Sequence, residues 1–228
     1  MGIAERKERE FKRREKEILQ AALRLFDGDD WQLVTIERIA QEAEIGKGTV
    51  YLHFPSKEDI YGRLALDFAR QVLAKLQKID RNLPVLDRLR AAIRVIFDAH
   101  LAGRRYQRIV DYCNREDFRR RLDEATRADL QRIDDQITAL VMASVQDGIE
   151  QGIFPDRPLE TLLWAPHATL IGAVRMLSGN CACVEIPDAE AFIGEVTRFM
   201  LAGLLAPAAA TPPPPARTST RQKGSLVT

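Results

Sequence analysis

The chain has almost no net charge, only three cysteines and no long apolar run, and each shortage excludes something. Thirty-four Lys and Arg stand against 33 Asp and Glu in 228 residues, leaving a formal charge of +1. A polybasic, histone-like protein is thereby excluded, whereas binding to a polyanion through a local patch is not, because the surface field depends on where charges lie. Cys113, Cys181 and Cys183 are an odd number in a long chain, which suits a reducing compartment better than a disulfide framework. No apolar stretch approaches the roughly 20 residues that span a bilayer, and the charged N-terminus lacks the apolar segment of a secretory signal, so a cytoplasmic protein without a membrane partner is expected. Three scattered histidines and the absence of G-x-S-x-G, H-E-x-x-H or G-x-x-x-x-G-K-[ST] patterns leave no catalytic residues to nominate, and no enzyme is expected. Cys181-x-Cys183, with His167 fourteen positions earlier, offers too few ligands for zinc, so neither metal nor cofactor is expected. Cys181 and Cys183 read either as ordinary residues of a loop or as a thiol redox sensor.

What is present is helical periodicity. Hydrophobic residues make up 46% of the chain and charged residues 29%, enough to build a core without staples. From Phe11, the positions Phe11, Ile18, Ala22, Leu25 and Phe26 fall on one stripe, predicting a helix that stops in Asp27-Gly28-Asp29-Asp30, followed by a loop through Trp31. Thr35 can cap a second helix over Thr35 to Ala43, and a turn at Glu44-Ile45-Gly46 leads to a third over Lys47 to Phe54, halted by Pro55. Ser56-x-x-Asp59 reads as a capping box opening a fourth helix that runs to about Ile79. A fifth follows Pro84 and ends near Gly103, a short segment spans Tyr106 to Tyr112, and a long charged helix is expected from Glu116 to Gly152. Two more apolar helices cover Leu159 to Leu177 and Ala189 to Leu205. From Pro207 the Ala-, Thr- and Pro-rich composition cannot bury enough surface to order itself.

The expected fold is therefore all-α: a three-helix helix-turn-helix domain with a basic N-terminal arm over residues 1–55, a helical bundle over 56–206, and a disordered tail over 207–228. In the arm, Arg6, Lys7, Arg9, Lys12, Arg13, Arg14 and Lys16 outnumber Glu8, Glu10 and Glu15. It reads either as a solvated helix end carrying i,i+4 ion pairs or as an arm that follows a phosphate backbone.

The segment Thr35 to Lys57 is helix, three-residue turn, short helix, stop. Such a unit places its second helix in the DNA major groove. With Val50 and Phe54 turned inward, Lys47, Thr49, Tyr51 and His53 are donor-rich side chains left to reach phosphates and base edges. The run Gly46-Lys47-Gly48-Thr49-Val50-Tyr51-Leu52-His53-Phe54-Pro55-Ser56-Lys57, preceded by Ile39-Ala40-Gln41-Glu42-Ala43, closely resembles the DNA-binding signature of the TetR family of bacterial transcriptional repressors. The detailed resemblance covers about Ile18 to Leu64.

That resemblance implies roles position by position. Thr35 binds a phosphate, Lys47 and Thr49 face bases or nearby phosphates, Gly48 permits close approach, Tyr51 and His53 grip the backbone, and Lys57 adds a phosphate contact. Where the family carries a turn glycine this chain has Glu44, whose carboxylate is expected to point outward. Where the family caps the recognition helix with serine it has Gly46, a cap weaker by only a few tenths of a kcal/mol.

The resemblance also implies a repressor that binds a palindromic, double-stranded operator as a homodimer through its last two helices, and that is released by a small-molecule effector. Leu162, Leu163, Leu170, Ile171, Val174 and Leu177 with Phe192, Val196, Phe199 and Met200 offer more apolar surface than one helix pair hides. Candidate effector-lining residues are Phe97, His100, Leu101, Tyr106, Tyr112, Phe118, Met142, Trp164, His167 and Met176, a set that suits an apolar or aromatic molecule. The alternative is a helical ligand-binding or interaction protein that does not bind DNA.

Overall fold

The structure, a computed structural model, describes residues 2–28, 33–101, 108–109, 112–113, 116–177 and 185–205. Among these the chain is all-helical: α1 (Ile3–Asp27), α2 (Ile36–Glu42), α3 (Lys47–His53), α4 (Lys57–Leu76), α5 (Val85–Leu101), α6 (Glu116–Arg119), α7 (Glu124–Glu150), α8 (Leu159–Leu177) and α9 (Ala189–Leu205). Trp31, Gly103, Tyr106, Cys181, Cys183 and the tail from residue 206 lie outside the described residues.

The first helix is longer than its apolar stripe. It starts at Ile3 instead of Phe11, so the basic arm is helical from its beginning. Ion pairs one turn apart carry this extension: Lys12 meets Glu8 at 2.7 Å, and Arg14 and Arg13 meet Glu17 at 2.7 and 3.3 Å. A criterion keyed to apolar spacing does not count such pairs. Gly28 takes the C-cap position with extended backbone, its N–H donating to Leu25, and Arg108 donates to the carbonyls of Phe26 and Gly28 at 2.8 and 2.6 Å. A guanidinium at a helix C-terminus satisfies orphan acceptors and complements the dipole.

The first three helices share a core of Ile18, Ala22, Phe26, Val34, Ile39 and Val50. That core continues through Ile60, Tyr61 and Leu64 of α4 and beyond them to Ile109, Cys113, Phe118 and Leu122. Tyr61 is its centre, 4.2 Å from the Phe26 ring and 4.6 Å from that of Tyr112, and burial pushes its phenol above the ordinary value. The start of α4 is fixed by the expected capping box: Ser56 Oγ accepts from the Asp59 N–H at 3.1 Å, and Asp59 accepts from the Ser56 N–H at 2.9 Å. The fourth helix ends at Leu76, three residues before the sequence limit.

The long helix expected from Glu116 to Gly152 is two helices. Asp123 interrupts it by accepting from the Thr126 N–H at 2.9 Å, an N-cap that restarts the helix after a turn in which Leu122 drops into the core beside Phe118. Leu122 also packs against Gly62 of α4 so closely that a Cβ there would lie 2.6 Å from its methyl carbon. The absent side chain thus sets how near α4 and α7 approach.

At its far end α7 is stopped by Gly152, which takes φ +69° and turns the chain so that Phe154 folds back over Gly148. A second core then holds α5, α7, α8 and α9 together through Val85, Leu89, Phe97, Val145, Phe154, Leu162, Ile193 and Met200. Arg94 of α5 adds a two-pronged ion pair to Glu190 at the start of α9. Among the described residues no helix is long and apolar enough to cross a membrane.

Candidate nucleic-acid interface

The helix-turn-helix begins with Thr35, whose hydroxyl accepts from the Arg38 N–H at 3.3 Å and caps α2. Ala43 ends α2, and Glu44 then takes φ +54° with its side chain exposed, which lets the Ile45 N–H return to Ala40 at 2.9 Å. Glutamate in this left-handed conformation costs about 1–2 kcal/mol that glycine avoids. The third helix is seated by Val50 and Phe54, both buried, and α2 is tied to α1 by Arg24 and Glu42 at 2.6 Å.

What remains on α3 faces outward. Lys47, Gly48, Tyr51 and Leu52 are exposed and Thr49 is half-buried. Among the described residues a Cβ on Gly48 would meet nothing within 4 Å, so none of them explains this glycine, which is unfavourable in a helix. Open space with no side chain gives the backbone of α3 an unobstructed approach to whatever lies in front of it.

The charged residues are more engaged than the sequence suggests. Lys47 forms an ion pair with Glu37 of α2 and sits 5.6 Å from the Tyr51 ring. The hydrogen bond from Lys47 draws the Glu37 carboxyl down to about 2, and Glu37 raises the lysine in return. Lys57 donates to the Val34 carbonyl at 3.1 Å and lies 5.8 Å from the Tyr61 ring, so its ammonium is turned toward the protein. His53 is half-buried with its ring 4.0 Å from that of Phe11, and its Nδ1 has no hydrogen-bond partner among the described residues. Burial lowers its pKa below the ordinary 6.5, so the imidazole is neutral at pH 7.

Three residues of this surface carry no role in the sequence reading. Glu37 competes for Lys47, Phe11 shelters His53, and Leu52, 77% exposed, is an apolar side chain on the outward face of α3. The ten-residue separation of Glu37 and Lys47 spans two short helices and a turn, which was the available signal for their pairing.

The effector-lining candidates do not meet in one place. Tyr112 and Phe118, with ring centroids 5.1 Å apart, belong to the core around Tyr61, while Phe97 is buried in the second core. His100 Nδ1 lies 2.8 Å from the Ile96 carbonyl, with its ring at the edge of Phe68. Met142 and Met176 are half-buried, Leu101 and His167 exposed, and Trp164 is 69% exposed on α8. A cavity of about 200 Å³ does open among the end of α4, α5 and α7, but none of the nine candidates among the described residues lines it, Tyr106 lying outside them.

A capped helix, a tight turn and a short outward-facing helix seated on a three-helix core, with an all-helical bundle behind, define a helix-turn-helix transcriptional regulator. A family model described as bacterial regulatory proteins, tetR family, matches residues 18–64. A curated relative, the HTH-type transcriptional regulator YfiR of Bacillus subtilis strain 168, is 28% identical over 158 residues, covering 66% of this chain and 73% of the relative. A tetR-family regulatory protein from Rhodococcus RHA1 superimposes with a TM-score of 0.67 at 20% identity, over 84% of this chain and 96% of that one. FadR from Bacillus subtilis, crystallised with stearoyl-CoA, gives 0.66 at 18% identity, over 82% and 98%. These two structures share the fold. The helix-turn-helix segment, residues 18–64, matches the tetR family of bacterial regulatory proteins, and the chain shares the fold of solved structures from that family.

Proposed function

We propose that the protein is a cytoplasmic, homodimeric repressor that holds a palindromic operator through α3 and lets go when a small molecule occupies the bundle. The observation that carries this reading is the outward face of α3, where Lys47, Thr49, Tyr51 and Leu52 surround a glycine with no described residue in front of it. Thr35 and Tyr51 contact phosphates, Thr49 and Lys47 face base edges, and Gly48 lets the helix enter the groove. Lys57 serves a phosphate after exchanging the Val34 carbonyl for it. His53, neutral at pH 7, contributes as a hydrogen-bonding group and not as a charge.

The reading head comprises residues 1–55 and the regulatory bundle 56–206. Dimerisation through α8 and α9 is supported by Trp164 and Phe199, 69% and 64% exposed, with Ile171 and Leu205 also uncovered. Two heads then meet half-sites one DNA turn apart, about 34–36 Å, or a multiple of that.

The test is a mobility shift of the purified protein against genomic fragments across a salt series. Sequence-preferring binding that weakens with salt supports the reading. Absence of any shift at low salt refutes it.

A further inference from the structure

We infer that the cavity among α4, α5 and α7 is a site for a small monocarboxylate, anchored on the Arg88 guanidinium. This gives a ligand class to the effector proposed above, and it rests on that reading for the ligand's consequence at DNA but not for its binding.

Arg88 lies on the buried face of α5 between Val85 and Leu89, and is only 9% exposed. A cation at such a position is costly unless its donors are used. Asp147 of α7 pairs with it, meeting Nη1 at 2.7 Å while itself half in water, and among the described residues the buried Nε has no acceptor. Arginine presents five donors in a planar fork, and Asp147 engages one of its nitrogens. A carboxylate is an anion that accepts charge-assisted hydrogen bonds from the guanidinium N–H groups that Asp147 leaves open.

The surroundings set the rest of the ligand. Leu76, Ile79, Ala92, Leu140 and Val141 line the cavity, so its body is apolar. Gln77 and Ser144 also line it, the Ser144 hydroxyl already donating to the Leu140 carbonyl at 3.3 Å, and Arg88 is the buried charged donor among them. Arg81, exposed and in no ion pair among the described residues, is a second cation on the lining. Arg81 and Arg88 against Asp147 leave one positive charge uncompensated, which fits a monoanion better than a phosphate dianion. About 200 Å³ lies below the ~300–1,000 Å³ that drug-sized ligands occupy, so the body is a few carbons and not a long acyl chain.

Position links this site to the reading head. Leu76 is the last residue of α4, the helix whose other end is built into the core of the head through Ile60 and Tyr61. A ligand wedged between the end of α4 and α7 bears on that helix.

Isothermal titration calorimetry of the full chain with sodium hexanoate and with 1-hexanol, an uncharged chain of the same length, tests the inference. Hexanoate is expected to bind at least tenfold more tightly, and Arg88→Met to remove that preference. Asp147→Asn, at a half-exposed position outside the apolar core, is expected to tighten hexanoate binding severalfold by releasing the guanidinium, and it decides the matter should Arg88→Met fail to fold. No hexanoate binding, equal binding of the two probes, a preference that survives in Arg88→Met, or no tightening in Asp147→Asn overturns the site. Calorimetry requires no DNA, so its failure is distinct from that of the repressor reading, which the mobility shift reads separately.

Discussion

Gly148 and Phe154 offer a perturbation whose sign depends on packing alone. Gly148 lies in the last turns of α7, where replacing glycine by alanine ordinarily stabilises a helix by about 1 kcal/mol. Here a Cβ would lie 2.3 Å from two carbons of the Phe154 ring, against an ordinary contact of about 3.5–4.0 Å, so the ring must retreat by more than roughly 1 Å. Phe154 is buried and pinned by its N–H to the Gly148 carbonyl at 3.1 Å, which leaves little room to retreat. Overpacking of this kind costs about 1–3 kcal/mol, and losing the ring from the core altogether about 3–5. Gly148→Ala is therefore expected to destabilise by up to about 2 kcal/mol once the helix-propensity gain of about 1 kcal/mol is subtracted. In a Phe154→Ala background the obstacle is gone, and the same substitution should stabilise by up to about 1 kcal/mol. Urea unfolding followed by circular dichroism, at one fixed protein concentration because any dimer makes stability concentration-dependent, reads both values. The reasoning is refuted if Gly148→Ala is stabilising in the otherwise unaltered protein, or if the two substitutions are additive.

Three further outcomes follow from the head and the bundle. An NMR titration should find the Glu37 carboxyl midpoint near 2 and not near 4.5. Since the folded value is depressed, the contribution of the Lys47 pair is complete above about 4.5 and lost as pH falls through about 2, and a midpoint at the ordinary value disproves the pairing. Glu44→Gly removes left-handed strain of about 1–2 kcal/mol at an entropic cost of about 0.5–1, so a net gain of about 0.5–1 kcal/mol in unfolding free energy is expected, and a loss contradicts it. Phe199→Glu on the uncovered face of α9 should weaken dimerisation by about 2 kcal/mol or more, roughly 30-fold in Kd, read as a shift toward monomer in analytical ultracentrifugation. An unchanged mass distribution counts against α8 and α9 as the dimer face.

The helix-turn-helix was legible because its determinants are local. Thr35 reaches Arg38 three residues on, Ser56 reaches Asp59, and Val50 and Phe54 are one helical turn apart, so cap, turn and buried face can all be read from neighbours in the chain. The apolar helices Leu159–Leu177 and Ala189–Leu205 were legible for a related reason, since their bounding Pro158 and Pro187 punctuate composition and structure at the same points. The break at Asp123 was not, because the segment keeps its apolar seam across the interruption. What separates α6 from α7 is a cap whose turn is held in place by Leu122 packing against Gly62, sixty residues away in sequence.

The sequence by itself determined which segments are helical, where most of them stop and which helix faces outward to read, because spacing, caps and glycine–proline punctuation act within a few residues. Tertiary structure decided what those residues are free to do. It turned Lys57 toward Val34, gave Lys47 to Glu37, covered His53 with Phe11, and placed Tyr112 and Phe118 in one core and Phe97 in another. It also brought Arg88 and Asp147 to one cavity from helices whose amphipathic patterns say only that one face is buried. A pairing across helices depends on their distance and rotation, which are fixed by contacts such as Leu122 on Gly62, and no periodicity within a single helix encodes them.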